Sequence, residues 1–291
     1  MSVAGEPVLA ATLGQSSFLH RFLRHRSAMI GGVIVTLVVA VALASPWLTP
    51  GDYTHNNMAY VWEPPGPQFR LGADANGRDV LSRLIVGARI SLLVAVCVLA
   101  ITLSIGTLAG MLAGWRGGFT DTALMRFADM TFAFPELIVA ILLAALLGPG
   151  IATIVLSLAA VGWPGIARLT RSLVLGLKTE SFIDAAIVSA TPGRRILLRH
   201  ILPNIVPALI VRASVGIGFV IMAEATLSFL GLGIQDPLPS WGGLIRDGLP
   251  ALRSDPHLAL ASSVALGATI IGFNLLGDGL RDLLDPRIRD R

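Results

Sequence analysis

Residues 184–204 read DAAIVSATPGRRILLRHILPN, and they separate two long apolar segments of the chain. The stretch combines small residues, a Thr-Pro-Gly break, three arginines and a histidine. Charged side chains are costly inside a lipid bilayer, so these residues are expected to lie in water. The stretch is therefore predicted to be a loop that connects two membrane spans.

The whole chain has the composition of a membrane protein. Of its 291 residues, 54% are hydrophobic and 14% are charged, and the mean hydropathy is +0.75. A soluble domain has about a quarter of its residues charged. The net charge of +4 comes from basic residues at the ends of the apolar segments. It does not indicate a nucleic-acid-binding surface, and the expected surroundings are lipid.

Six apolar segments are long enough to cross a bilayer, which takes about 20 helical residues. The third and fourth are joined only by Leu-Gly-Pro-Gly at 147–150, which predicts a tight helical hairpin. The apolar residues at 80, 81, 84 and 85 have the spacing of a short interfacial helix. The predicted fold class is an all-α polytopic membrane protein with six transmembrane helices, at about 27–48, 90–114, 124–148, 150–172, 205–231 and 257–280.

The distribution of basic residues predicts the orientation, because cytoplasmic loops are enriched in Lys and Arg. With the N-terminus inside, fifteen of the 22 Lys and Arg residues lie on the cytoplasmic side and six lie outside. Both termini are therefore expected in the cytoplasm. The resulting organisation is a cytoplasmic tail at 1–26, a first span at 27–48, an extracytoplasmic loop at 49–89, a five-helix core at 90–280 with an inner loop at 173–204, and a cytoplasmic tail at 281–291.

Several functions are excluded by what the sequence lacks. Cys97 is the only cysteine, so neither a disulfide framework nor a cysteine metal site is expected. The sequence contains no GxxxxGK[ST] loop and no HExxH pair, so it is expected to bind neither ATP nor zinc by those motifs. The first apolar run follows a polar stretch and has no small-residue cleavage site after it, which predicts a permanent anchor. No enzyme activity is expected.

The inner loop has its own predicted structure. Ser181 and Asp184 have the S-x-x-D spacing of a capping box, which predicts a helix from Ser181 to Ala190. A second helix is expected to begin at Pro192, and Pro203 and Pro207 are expected to punctuate the return into the bilayer. The second helix would direct three arginines (194, 195 and 199) toward water and three apolar residues (196, 197 and 201) toward the membrane. The alternative is a plain connecting loop whose arginines only set the topology, and the residues alone leave both open.

The loop resembles the EAA loop, E-A-A-x(3)-G-x(9)-I-x-L-P, of permease subunits in ATP-binding-cassette importers. Asp184 takes the place of the usual Glu and Ala190 that of the usual Gly. Asp keeps the charge, and Ala still permits close approach with slightly less room. The residues that the resemblance assigns to ATPase coupling are Asp184, Ala185, Ala186, Ala190, Arg194, Ile201 and Pro203.

Further blocks are similar to the permeases of dipeptide, oligopeptide and nickel importers, and they cover most of residues 70–290 in the same order. They are LGADANGRDVLSR at 71–83, GARISL at 87–92, EATLSFLGLG at 224–233, SWG at 240–242 and GDGLRDLLDPR at 277–287. Ala73 stands where Thr is usual.

The resemblance implies the C-type half of a heterodimeric pore with the type I ABC importer transmembrane fold, in the cytoplasmic membrane of a bacterium. It implies a second permease chain, two cytoplasmic ATP-binding subunits, which use the ATP and Mg, and an extracytoplasmic binding protein. The helix from Ser181 to Ala190 would then be the coupling helix that converts ATPase closure into alternating access. Di- or oligopeptides are the expected cargo, with nickel or another small solute as the alternative.

Polar residues within the spans are candidates for the translocation pathway because they are costly in lipid. Glu136 follows Pro135 in the third segment and is expected to face the pore or a partner helix. Glu224 is expected either to line the pore or to form an inter-helix hydrogen bond. Arg212 lies twelve residues before Glu224, about 18 Å along a helix, so the two cannot pair and Arg212 is expected to snorkel to the inner surface.

Two helix-surface patterns give local expectations. Arg126 and Asp129, at i and i+3, are expected to form a local pair. Gly106 and Gly110 have the G-x-x-x-G spacing that suits tight helix packing.

Two other classes of protein compete with the permease. A self-contained secondary transporter would show internal repeats with broken helices in matching positions, and no convincing repeat is present. An intramembrane enzyme needs a catalytic constellation within the spans, where the only histidine is His257 at the edge of the last segment.

Overall fold

The computed structural model describes residues 18–284 of the chain. Its secondary structure is helical, and no β-strand occurs within that range. Residues 1–17 of the predicted tail at 1–26 and residues 285–291 of the predicted tail at 281–291 lie outside the described residues, and so do the last residues of the block at 277–287. The helices are α1 Phe18–Arg24, α2 Arg26–Leu48, α3 Val80–Arg116, α4 Gly118–Phe132, α5 Glu136–Leu147, α6 Ile151–Leu177, α7 Ser181–Val188, α8 Gly193–Ile196, α9 Leu202–Phe229, α10 Trp241–Gly248 and α11 His257–Leu284.

Five helices are long and apolar enough to cross a membrane, and the bent pair of α4 and α5 makes a sixth if it is counted as one span. The multi-pass, all-α prediction is therefore confirmed, and the third segment predicted at 124–148 is divided at Pro135 into two helices. The axes of α4 and α5 meet at 84°. Pro135 lacks a backbone N–H and cannot continue the hydrogen-bond ladder of α4, so the chain starts a new helix at Glu136. The tight hairpin between α5 and α6 is confirmed.

The second span begins ten residues earlier than predicted. Residues 80–89 form the first turns of α3, and the predicted separate interfacial helix is wrong. The Asp79 side chain accepts hydrogen bonds from both the backbone N–H and the hydroxyl of Ser82, which caps α3 at this point. No helix breaker follows until Gly117. Arg83 is tolerated inside the fold because distant carboxylates neutralise its charge, as described below.

The fifth span also starts earlier than predicted. α8, a π-helical turn at Leu197–Ile201 and α9 form one continuous apolar helix from Gly193 to Phe229. The predicted stop at Pro203 and Pro207 is therefore wrong. A π-turn accommodates an extra residue and often marks an irregularity in a helix. Here it directly precedes Pro203, and the Asn204 side chain donates a hydrogen bond to the His200 carbonyl.

α3 is the central helix, and its most extensive contact is with α6. A Cβ atom at Gly106 would lie 2.7 Å from the Cβ of Ile166, and one at Gly110 would lie 2.4 Å from the carbonyl oxygen of Ala167. The predicted tight packing at these glycines is confirmed. α9 packs against α3, α6 and α11, while α2 packs against α11 and α3.

Candidate functional site

The inner-loop helix α7 begins at Ser181 but without the predicted capping box. Its N-cap residue is Glu180, and no side chain accepts a hydrogen bond from the first turn. The helix starts one residue earlier than the box requires, so Ser181 occupies the first helical position and Asp184 the fourth. A capping box needs them at the N-cap and third positions. The Asp184 carboxylate is exposed, and among residues 18–284 it forms no hydrogen bond or ion pair.

The C-terminal end of α7 explains the role of position 190. The helix ends at Val188, not at the predicted Ala190. Ala190 has a φ of 52°, its N–H donates to the Ile187 carbonyl at 2.9 Å, and the N–H of Thr191 donates to the Ala186 carbonyl at 3.1 Å. This is a Schellman motif, in which a left-handed residue closes the helix and glycine is preferred. The left-handed cap is therefore a sufficient reason for a small residue at position 190, without a partner that approaches it closely.

We expect Ala190→Gly to stabilise the protein. A non-glycine residue in the left-handed region lowers the stability of the folded state by about 1 kcal/mol or more. Glycine removes that strain, but it also raises the entropy of the unfolded chain, which offsets part of the gain. A gain of roughly 0.5–1 kcal/mol in the free energy of unfolding is expected in detergent denaturation. Ala185→Gly is the matched control, because Ala185 lies within α7 and should lose a similar amount. Equal effects of both substitutions would contradict the assignment of a left-handed cap.

The two faces of α7 differ. Ile183 is fully buried, and Ala186 is half-buried against the same apolar cluster. The other face exposes Phe182, Ala185, Ile187 and Val188, and Val188 is 87% exposed. Exposed apolar side chains next to one another are typical of a contact surface. Of the three predicted close-approach alanines, only Ala185 lies on this exposed face within the helix.

An apolar cluster joins the inner loop to three spans. It consists of buried side chains from α3, α6, α7, α8, the π-turn and α9, and we call it the inner cluster: Met111, Ile166, Val174, Ile183, Ile196, Ile201, Ile205 and Leu209. The prediction that Ile196 and Ile201 face the membrane is wrong, because both are buried within the protein. Arg194 and Pro203, the remaining predicted coupling residues, are exposed near this junction. α7 is thus packed against α3, α6 and α9 through the side chains of this cluster.

Lys178 forms a second connection that the sequence did not indicate. Its ammonium donates to the carbonyl oxygens of Gly114 at 3.3 Å and Trp115 at 3.0 Å, at the C-terminal end of α3. It also lies 5.6 Å from the centre of the Trp115 ring. A cation at a helix C-terminus satisfies unpaired carbonyls and is favoured by the helix dipole. The only lysine of the chain therefore ties the start of the inner loop to α3.

A cavity of about 100 Å³ lies between α3, α5, α6 and α9. Glu136 and Arg212 contribute charged side chains to its lining, together with the glycines at 162, 165 and 216. The side chain of Arg212, for which snorkelling to the inner surface was predicted, is exposed and lines this cavity. α5 runs for about 18 Å from Glu136 to Leu147, which is more than half the thickness of a bilayer core of about 30 Å.

Glu224 is separated from this cavity. It is fully buried between α3 and α9, where the hydroxyls of Ser91 and Ser228 donate to its two carboxylate oxygens at 2.9 and 2.7 Å. Of the two predicted roles, this arrangement is the inter-helix hydrogen bond and not the pore lining.

The predicted Arg126–Asp129 pair is wrong, because the aspartates of α4 pair with arginines of α6. Asp129 accepts from Arg168 of α6, and Asp121 accepts from Arg171 at 2.6 Å. These pairs connect two helices, whereas an i, i+3 pair would have stayed within α4.

A buried ion network explains the sequence block at 71–83. Asp74 accepts from the Nε of Arg78 at 2.8 Å and lies 3.4 Å from the Nε of Arg83. Asp236, far along the chain, contacts Arg78 at 3.2 Å and Arg83 at 3.0 Å. The side chains of Asp74, Arg78 and Arg83 are at most 6% exposed. We call these four residues the outer network, and it fixes the outer loop against the start of α3.

The charges of the outer network reinforce one another. Burial by itself raises the pKa of Asp236, but the hydrogen bonds and charges of Arg83 and Arg78 outweigh it and hold the pKa below its ordinary value. Asp236 is therefore ionised at neutral pH.

Gly77 permits the turn between Asp74 and Arg78, since its φ is 69° and a Cβ there would lie 1.8 Å from the carbonyl oxygen of Asn57.

The chain has clear relatives among known proteins. Residues 106–290 match a family described as "Binding-protein-dependent transport system inner membrane component", and residues 15–65 match the "N-terminal TM domain of oligopeptide transport permease C". The oligopeptide transport system permease protein OppC of Haemophilus influenzae is 39% identical over 272 residues, which is 92% of this chain and 87% of that protein. The glutathione transport system permease protein GsiD of Pectobacterium atrosepticum is 40% identical, over 94% and 91% of the two chains. OppC of Bacillus subtilis is 38% identical, over 92% and 88%.

Proposed function

The chain belongs to the family of binding-protein-dependent transport system inner membrane components, and from this premise we propose that it forms one half of the pore of an ATP-driven peptide importer. Relatives that match this chain over most of its length carry the names of oligopeptide and glutathione permeases. Both names denote peptides, and none of the three reported relatives is named for nickel. Peptide is therefore the cargo that we assign.

α7 is proposed to be the coupling helix that docks on an ATP-binding subunit. The observation that carries this role is its two-sided packing, with Ile183 buried in the inner cluster and Val188 87% exposed. A short helix that exposes apolar side chains in water gains stability when another protein covers them. Because the inner cluster continues into α3, α6 and α9, a movement of the docked helix reaches the spans that line the cavity.

The second permease is proposed to cover the side of the chain at α5 and α9. Phe134 and Phe219 are exposed there, and the cavity with Glu136 and Arg212 opens between these helices. Two charged side chains near the bilayer core cannot remain in contact with lipid without a large cost. A pore shared with a second, homologous chain gives them water and polar surroundings.

In this arrangement the inner loop and both termini are cytoplasmic, and the outer network faces the binding protein. The arginine distribution supports this orientation. ATP and Mg are used by the partner subunits, and this chain holds neither.

Reconstitution tests the proposed function. The chain, its second permease and two ATP-binding subunits are placed in proteoliposomes with the binding protein loaded with a radiolabelled peptide. We expect uptake that requires ATP and both partner types, since this chain has no nucleotide-binding motif. Uptake by the purified chain alone would establish a secondary transporter and overturn the proposal. The ligand of the binding protein distinguishes oligopeptides from glutathione or nickel.

A further inference from the structure

The central cavity holds two opposite charges that no other part of the described chain neutralises by direct contact. Arg212 is exposed and Glu136 is half-buried. Within residues 18–284, neither side chain forms a hydrogen bond, and the two are not close enough to form an ion pair with each other. They do interact electrostatically across the cavity. An acid and a base that face each other without touching leave room for a ligand between them.

The charged groups of Glu136 and Arg212 both lie beside glycines of α6. The Oε1 atom of Glu136 lies 4.0 Å from the position that a Cβ of Gly162 would take. The Nη2 atom of Arg212 lies 3.8 Å from the corresponding position of Gly165. Positions three residues apart on a helix are neighbours on one face, about 5–6 Å from each other. The carboxylate and the guanidinium therefore lie beside the same face of α6, at two glycines that are about one turn apart.

A third glycine leaves space for the guanidinium itself. A Cβ at Gly216, one turn after Arg212 on α9, would lie only 3.2 Å from the Nη1 atom. The guanidinium thus lies beside Gly165 of α6 and Gly216 of α9, and the Arg212 side chain lines the cavity. A planar guanidinium in such a position is suited to a carboxylate.

We propose that Glu136 and Arg212 form a passage site for the charged termini of a peptide, in which Glu136 receives the terminal ammonium group and Arg212 the terminal carboxylate. This inference rests on the proposed function. A peptide with free ends carries one charge of each sign, separated by about 3.3–3.6 Å per extended residue. A site with both signs favours such a ligand over a bare cation, which Arg212 repels.

The site is suited to passage because it is small and incomplete. Transport requires binding that is favourable enough for entry and weak enough for release. One contact for each terminus, with no enclosing pocket in this chain, meets that requirement. The glycines of α6 have no side chains that could select among the side chains of the peptide. The site is therefore compatible with peptides of different sequence.

The test uses photo-crosslinking, so that the preference of the binding protein does not enter. The complete membrane assembly, with both permeases and both ATP-binding subunits, is placed in nanodiscs without the binding protein. Three versions of a benzoylphenylalanine tripeptide are added: with free termini, with an acetylated N-terminus and with an amidated C-terminus. The yield of label on cavity residues is measured by mass spectrometry.

We expect the free tripeptide to label the cavity most strongly. Glu136→Gln should lower labelling by the free peptide about ten-fold or more, as for loss of a charged hydrogen bond. It should leave labelling by the acetylated peptide unchanged. Arg212→Gln should show the same selectivity between the free and the amidated peptide. Glu63→Gln and Arg253→Gln remove the same charges from exposed outer positions and should change no yield.

Two results would overturn the passage site. Equal labelling by all three peptides in the wild-type assembly would show that the termini are not recognised. A uniform loss with every peptide in both variants would show that the two residues serve only the fold or a gate. Import by the wild-type proteoliposomes separates this failure from failure of the proposed function, because import would then persist while the cavity site is rejected.

Discussion

Replacing Ala185 with tryptophan is expected to abolish capture of the ATP-binding subunits and, with it, peptide uptake. Ala185 lies on the exposed face of α7, beside Phe182 and Val188. An indole at this position would hold a docked surface away from its neighbours. Loss of a central interface contact commonly costs 2 kcal/mol or more, a decrease of at least about thirty-fold in affinity. Affinity capture through a tag on the permease, followed by quantification of the ATP-binding subunits, measures the effect.

The neighbouring alanine provides the contrast. Ala186 is packed against the inner cluster, so Ala186→Trp should lower the stability of the permease itself as well as capture. Ala185→Trp should lower capture with little change in the unfolding midpoint. Asn56→Trp adds the same side chain to an exposed position of the outer loop and should leave capture normal. Normal capture by Ala185→Trp would show that this face of α7 is not the docking surface.

Replacing Asp74 with alanine is expected to cause the largest loss of stability among the substitutions considered. Asp74 accepts from the backbone N–H groups of Asn76 and Arg78 and from the Arg78 side chain. Its removal leaves two buried arginines with the single carboxylate of Asp236. Removal of one partner from a buried ion pair typically costs about 3–5 kcal/mol. Chemical denaturation in detergent, read by tryptophan fluorescence, gives the change in the free energy of unfolding.

Asp52 is the matched control on the same outer loop. Its carboxylate is exposed and accepts hydrogen bonds only from Thr54 within the described chain, so Asp52→Ala should have little effect on the unfolding midpoint. Limited proteolysis should show that Asp74→Ala also exposes residues 49–79 to cleavage. If Asp74→Ala were as stable and as resistant as the wild type, the outer network would not be what holds this loop.

The amino-acid sequence predicted the features that depend on neighbouring residues. Apolar runs indicated a chain with several spans, since burial in lipid requires a minimum helical length. The Leu-Gly-Pro-Gly link gave the hairpin, and the glycine spacing at 106 and 110 gave the close contact of α3 and α6. The start of α7 at Ser181 was also predicted, although the capping box proposed for it does not form.

Local patterns failed where a distant residue completes the structure. The charge of Arg83 is typical of a helix at the membrane interface. Arg83 nevertheless lies inside the fold, because Asp236 contacts it from a loop 153 residues away in sequence. Asp129 could pair within its own helix but instead accepts from Arg168 of α6. Ile201 has the spacing of a lipid-facing residue, yet α3 and α6 cover it.

What the sequence by itself determined is that this chain spans a membrane several times and carries a small-residue loop between its fourth and fifth apolar segments. The tertiary structure alone decided that position 190 is a left-handed cap, that Lys178 closes the end of α3, and that Glu136 and Arg212 share one cavity. The physical reason is the range of the interactions. Partition into lipid and helix formation act over neighbouring residues, whereas ion pairs, helix caps and cavities depend on which helices come into contact.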